Sequence, residues 1–131
     1  MDLKNIVKMS QDIVSDALNQ IMNAKKARKQ EVIVSRSSKF LVNLLNLFKE
    51  QGYLDFKSED KKIIIKLKKI NECRTIKPRF NVSVNEIDKY VRRFLPARNF
   101  GKIIISTSKG LMPHTKAIEE NLGGGLIAYI Y

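Results

Sequence analysis

Hydrophobic residues recur along the chain at two different spacings, and the change from one to the other marks its elements. Ile13, Val14, Ala17, Leu18, Ile21 and Met22 share one face of a 3.6-residue period, which predicts a helix that Ser10 can cap and whose first turn holds Asp12. Residues before it read as a short extension. The face gives out into the basic connector Asn23-Ala24-Lys25-Lys26-Ala27-Arg28-Lys29-Gln30, and Glu31 to Ser35 reads as a short strand. Ser37 or Ser38 caps a second helix with core face Phe40, Leu41, Leu44, Leu45 and Phe48, and Gly52 is placed to end it. Tyr53 to Lys57 and Lys62 to Lys68 predict a hairpin around Ser58-Glu59-Asp60-Lys61. In its second strand Ile63, Ile65 and Leu67 face inward and a mostly cationic set faces out.

Apolar density falls around Asn71, and Ile76-Lys77-Pro78-Arg79-Phe80 is a proline-containing extended piece. The expected boundary therefore lies near residue 75, dividing the chain into 1–75 and 76–131. Beyond it, Asn85 can cap a short helix carrying Ile87, Tyr90, Val91, Phe94 and Leu95, which Pro96 stops. Lys102 to Ile105 predicts a buried strand leading into a polar tip, Ser106-Thr107-Ser108-Lys109-Gly110. Pro113 to Asn121 reads as a helix, Gly123-Gly124-Gly125 as a turn, and Leu126 to Tyr131 as a final strand. The fold class is α+β: two small α/β domains, the first α-β-α-β-β, the second mixed and mainly β with short helices.

Charge narrows the function. Against 44% hydrophobic residues, enough for a real core, 25 Lys and Arg oppose 13 Asp and Glu, for a net charge of +12 and a pI near 9.9. Such an excess repels itself unless a polyanion is present, which makes nucleic acid the leading partner and an anionic membrane surface the second. A membrane binder would need an apolar face exposed beside its cations, and the second helix is too apolar to be anything but core. No run is long enough for a membrane span, and the start of the chain lacks the pattern of a secretory signal. The expectation is a soluble, intracellular protein.

Two segments carry chemistry suited to RNA. In the tip, the hydroxyls of Ser106, Thr107 and Ser108 can both donate and accept, toward ribose, phosphate or base edges. Lys109 adds a point charge and Gly110 a permissive backbone. Between residues 25 and 39, the six cations Lys25, Lys26, Arg28, Lys29, Arg36 and Lys39 meet the single acid Glu31, around a strand and two loops. Catalytic sets are missing. Cys73 and His114 are each the only residue of their type, so neither a disulfide within the chain nor a zinc cluster can form, and Cys73 reads as structural. Glu59-Asp60 and Glu119-Glu120 are ordinary solvated carboxylates, and a Ser106 or Ser108 nucleophile would have only His114 as base. With no phosphate-cradling glycine motif, no enzyme, cofactor, metal or small-molecule substrate is expected. The alternative is a nucleic-acid-acting enzyme, or another RNA-binding module, using the same basic surface.

Ser106-Thr107-Ser108-Lys109-Gly110-Leu111-Met112, followed by Leu122-Gly123-Gly124 and an apolar terminal strand, resembles the C-terminal signature of the universal small-subunit ribosomal protein number eight family. Asp12 to Asn19 resembles its opening helix, and Ser37-Ser38-Lys39 the start of its second helix. Ile70 to Cys73, Ile76 to Phe80 and Leu95 to Gly101 are similar to the archaeal and eukaryotic branch, where the eukaryotic protein is called fifteen-a. The resemblance runs from about Asp12 to Tyr131. It implies a non-catalytic constituent of the cytosolic ribosome that binds central-domain helices of small-subunit ribosomal RNA, helps assembly and touches neighbouring small-subunit proteins. It also implies that Ser106, Thr107, Ser108, Lys109 and Gly110 form the main RNA-reading loop. Ser37, Ser38, Lys39 and the loop before Val32 would add contacts. Two positions depart from the family pattern: Ile13 stands where many members have proline, and Gly125 where bacterial members have an RNA-contacting glutamate.

Overall fold

The computed structural model describes residues 3–35, 38–59, 62–76, 81–97 and 99–131, and of residues 3–12 the backbone alone. The chain forms two units, Met1–Ile70 and Asn71–Tyr131. Cys73–Thr75, which precedes the boundary expected from the fall in apolar density, pairs as a strand with the last strand of the second unit.

The first unit runs α1 (Leu3–Lys26), β1 (Glu31–Val34), α2 (Lys39–Glu50), β2 (Leu54–Glu59) and β3 (Lys62–Leu67), in the order expected. Its sheet is antiparallel with β3 central, between β1 and β2. Helix α1 starts earlier than Ser10 and ends later than Met22. Leu3, Ile6 and Val7 extend the apolar period upstream, so Ser10 and Asp12 lie inside the helix rather than at its cap. Leu41, Leu44, Leu45 and Phe48 of α2 are completely buried, at the i, i+3, i+4, i+7 spacing of one helix face. Each such side chain contributes roughly 1.5–3 kcal/mol, and this burial leaves α2 no apolar face for a membrane. Strand β2 reaches two residues into the expected turn: Ser58 and Glu59 pair with Ile63 and Lys62, while Asp60 and Lys61 lie outside the described residues.

Helices α1 and α2 end by one device. Tyr53 N–H donates to the Phe48 carbonyl and Gly52 N–H to that of Lys49. Gly52 has φ +83°, the left-handed step that ends α2. The same pair of bonds closes α1, from Lys29 to Ala24 and Arg28 to Lys25, with Arg28 at φ +59°.

The second unit contains β4 (Cys73–Thr75), β5 (Asn81–Val82), α3 (Val84–Phe94), β6 (Lys102–Thr107), β7 (Gly110–Pro113), α4 (His114–Glu119) and β8 (Gly124–Ile130). Ser83 rather than Asn85 precedes α3, and the Glu86 carboxylate accepts from both its backbone N–H and its hydroxyl. These bonds hold the Glu86 carboxyl below its usual range. Residues 77–80, including Pro78, lie outside the described residues. Strand β8 is the hub, pairing antiparallel with β4, β5 and β6. Ile103, Ile105, Leu126, Met112, Ile87 and Val91 share one core, and Cys73 is a buried free thiol.

The triple glycine is not a turn. Gly124 and Gly125 open β8, and a Cβ on Gly124 would lie 2.1 Å from the Ser106 carbonyl oxygen. A Cβ on Gly123 would lie 2.5 Å from that of Val82. Glycine lets β8 slide against its neighbours where any side chain would collide with backbone. Register also shifts between Ile104 (opposite Ala128) and Ile105 (opposite Leu126), leaving Ile127 as the extra residue of a bulge. Its carbonyl is taken by Ile76 N–H.

His114 is buried, and its Nδ1 accepts from Ile103 N–H at 3.1 Å. Burial first, then the Lys102 ammonium, lowers its pKa to about 4. The ring is therefore neutral, with its proton on Nε2.

Two outcomes are expected in urea denaturation. Gly124→Ala should cost at least about 2 kcal/mol. Gly52→Ala, where the Cβ meets nothing within 4 Å and only the positive φ is strained, should cost about 1 kcal/mol. Equal losses would show that the close approach of β8 is not tight. The unfolded chain protonates His114 near its ordinary pKa while the folded chain does not until about 4. His114 thus leaves stability level above about pH 7 and lowers it between 6.5 and 4, by up to roughly 3 kcal/mol. The slope across that window should flatten in His114→Gln, and an unchanged slope would sink the assignment.

Candidate nucleic-acid interface

Thr107 pairs with Gly110 across β6 and β7, so Ser108 and Lys109 alone form the connection. The tip is a two-residue hairpin turn rather than the approach to a helix, because Leu111 and Met112 continue as strand and the helix waits until His114. Neither Ser108 nor Lys109 has a positive φ; the left-handed step falls on Gly110, at +108°, directly after the turn. Its absent Cβ would meet nothing within 4 Å, leaving open space beside the turn.

The hydroxyls have divided roles. Thr107 Oγ1 donates to the Gly110 carbonyl at 2.9 Å and accepts from Lys109 N–H at 3.2 Å, so it clamps the turn. Ser106 is half-buried between Leu111 of β7 and Gly125 of β8. Ser108 and Lys109 are exposed. A rigid sheet thus offers one hydroxyl and one ammonium at its outermost point. His114 gives its Nδ1 lone pair to Ile103 N–H, which removes the only base that sequence could offer to Ser106 or Ser108.

In the first unit the cations from 25 to 39 do not form one cluster. Lys25, Arg28 and Lys29 gather at the C-terminal end of α1, lining with Lys68 a cleft of about 290 Å³. Lys26 sits in the same helical turn. Lys68 was not singled out from sequence; it arrives because Leu67 N–H donates to the Gln30 carbonyl at 2.9 Å, fastening the end of β3 to the basic loop. The available signal was the cationic face of Lys62, Lys66 and Lys68. Lys39 lies beyond the other end of β1, a strand that itself spans about 13 Å at the usual rise. There Ser38 caps α2, its hydroxyl oxygen accepting from Leu41 N–H at 3.2 Å. Arg36 and Ser37 lie outside the described residues. A larger cleft of about 610 Å³ beside the same loop is lined by Gln20, Asn23, Val32 and Ile33, with Lys29 offset by Glu31. Its balanced charge suits phosphate less well than the smaller cleft does.

Among the described residues cations therefore stand in three places, the tip, the cleft at the end of α1 and the start of α2, and no nucleophile there is paired with a base. Among the described residues no helix is long and apolar enough to cross a membrane. The sequence matches the family described as Ribosomal protein S8 over residues 12–131. It is 37% identical to small ribosomal subunit protein uS8A of Schizosaccharomyces pombe over 127 residues, covering 92% of this chain and 98% of that one. It is 38% identical to uS8 of Neurospora crassa and 37% identical to uS8A of Saccharomyces cerevisiae, each over 125 residues, 91% of this chain and 96% of theirs. These relatives are eukaryotic, in keeping with the branch that Leu95 to Gly101 suggests, and the chain belongs to the ribosomal protein S8 family.

Proposed function

We propose that this chain is a structural constituent of the small ribosomal subunit of the cytosolic ribosome. It binds the central domain of small-subunit ribosomal RNA, helps its assembly, sits among other small-subunit proteins and catalyses no reaction. The single observation that carries the molecular part is the clamped Ser108-Lys109 turn, braced by Thr107 and opened by Gly110. An RNA helix displays 2′-hydroxyls and base edges in a wide, shallow minor groove. A two-residue turn with one short hydroxyl can approach that surface closely, and Ser106 lies directly behind it. Lys109, and the Lys25, Lys26, Arg28, Lys29 and Lys68 cluster, neutralise phosphates, with Lys39, Ser37, Ser38 and Arg36 adding contacts at the start of α2. In this scheme Thr107 and Gly110 shape the loop, Ser106 and Ser108 read it, and the cations position the complex.

Lys109→Ala should weaken all RNAs alike, by about 1 kcal/mol, and lower the slope of log affinity against log salt by close to one unit. Ser108→Ala should weaken the cognate ribosomal helix by about 1–3 kcal/mol while hardly changing non-specific binding or the salt slope. Competition against unrelated duplex RNA separates the two. Equal loss of cognate and non-cognate binding in Ser108→Ala would move recognition elsewhere. Arg28→Gly tests the second site, because a non-glycine residue at φ +59° is strained. It should raise folding stability by about 0.5–1 kcal/mol yet reduce the salt slope by about one unit. A destabilised variant, or one with an unchanged slope, would contradict the assignment.

A further inference from the structure

Five aromatic rings run in contact through the second unit. Tyr90 stacks on Phe94 with centroids 6.4 Å apart, Phe94 on Tyr129 at 5.4 Å, and Tyr129 on Tyr131 at 6.1 Å. Phe100 tilts against Tyr131 at 6.2 Å. The row assembles from i, i+4 positions of α3, an i, i+2 pair on and just after β8, and one turn residue. Sequence periodicity assigned the aromatics mostly to apolar core faces. Tyr90, Phe94, Tyr129 and Tyr131 do pack against the core but keep part of each ring exposed, and Phe100 is 50% exposed.

Phe100 is held in place by its neighbour. A Cβ on Gly101, at φ +104°, would lie 2.7 Å from both the Ile130 carbonyl oxygen and Tyr131 Cβ, so only glycine lets this turn lie against the end of β8. Cations edge the row. The Arg93 guanidinium lies 5.5 Å from the Phe94 centroid and the Lys89 ammonium 5.8 Å from that of Tyr90. Arg74 pairs in register with Tyr129. The nearby acid Glu72 accepts from Arg74 Nε at 2.8 Å and from the Tyr131 hydroxyl at 2.5 Å, which offsets its charge and fixes both partners.

We propose that the row Phe100–Tyr131–Tyr129–Phe94–Tyr90 is a second RNA-contact surface, binding a single-stranded segment through base stacking on Phe100 and phosphate contact with Arg93, Lys89 and Arg74. The proposal rests on the RNA-binding reading above, extending it to unpaired nucleotides. Charge complementarity selects the occupant. A protein partner seated on the rings would strip water from guanidinium and ammonium groups and from tyrosine hydroxyls. Unpaired nucleotides bring flat bases for the rings and phosphates for the cations together.

The test uses fluorescence anisotropy of a labelled eight-nucleotide oligoadenylate, an abasic ribose-phosphate strand of equal length, and the structured ribosomal helix. Phe100→Ala should bind the oligoadenylate about tenfold more weakly, Phe100→Tyr should restore binding, and both should bind the structured helix within about twofold of the parent protein. The abasic strand should bind weakly and show no dependence on Phe100. Unchanged oligoadenylate affinity in Phe100→Ala would overturn the proposal and assign the row to a protein partner, and equal affinity for the abasic strand would overturn it as well. Ser108→Ala keeps the two readings apart, since it should lose the structured helix and retain the oligoadenylate. A protein that failed on the structured helix but kept Phe100-dependent oligoadenylate binding would refute the tip assignment and leave this site standing.

Discussion

The contact on which the Ser108-Lys109 turn depends is the meeting of two backbones, β8 against β6 at Gly124 and Ser106. Space there is measured in tenths of an ångström, because a Cβ at Gly124 would sit 2.1 Å from the Ser106 carbonyl oxygen. That approach keeps Ser106 in a three-strand ladder, between Gly125 and Leu111. Two residues further on, the turn begins. Any slackness in β8 would therefore reach Ser108 through a short and stiff lever, and the bulge at Ile127 sets the twist with which that lever is aimed. His114 braces the same strand from another direction, by accepting the Ile103 N–H that would otherwise be buried without a partner.

Strand β8 comes last in sequence yet pairs with three earlier strands. The second unit consequently owes its order to non-local pairing, which sequence patterns report poorly. This explains which expectations succeeded. The succession α-β-α-β-β, the inward Ile63 and Ile65, and the α2 face apart from half-buried Phe40 follow from local periodicity, and the structure has them. Gly123-Gly124-Gly125 has the local signature of a turn, and only the proximity of β5 and β6 shows that it is strand. The hairpin at Ser108-Lys109 was hidden for a related reason: β7 has only four residues, too few for alternation to register, and Pro113 suggested that a helix had already begun.

The candidate sites divide along the same line. Residues of the tip were legible as a cluster because they are consecutive. Lys68 was not, since it joins Lys25, Arg28 and Lys29 only through the pairing of β3 with β1 and the bond from Leu67 to Gln30. The cations from 25 to 39 bracket a strand in the sequence, and among the described residues β1 separates Lys25, Lys26, Arg28 and Lys29 from Lys39. The aromatic row shows the largest gap between pattern and structure. Tyr90 and Phe94 satisfy a helical period, and nothing in that period says that Tyr129, Tyr131 and Phe100 will meet them at the surface.

Local preference is broken at two cationic positions of the first unit. Of the residues with left-handed backbone that end helices here, Gly52 and Asn121 are types that tolerate it, whereas Arg28 is not. Lys39 stands in the first turn of α2, where the helix dipole disfavours a cation by about 0.3–1 kcal/mol. Lys25 and Lys26, at the far end of α1, are favoured by the same effect. Together Arg28 and Lys39 cost about 1–3 kcal/mol. Complete burial of two side chains such as Leu44 and Phe48 offsets that amount. A fold selected for stability alone would place glycine at 28 and an acid at 39. Both positions instead carry a cation, Arg28 in the turn that ends α1 and Lys39 in the first turn of α2, and burial elsewhere in the unit offsets the cost.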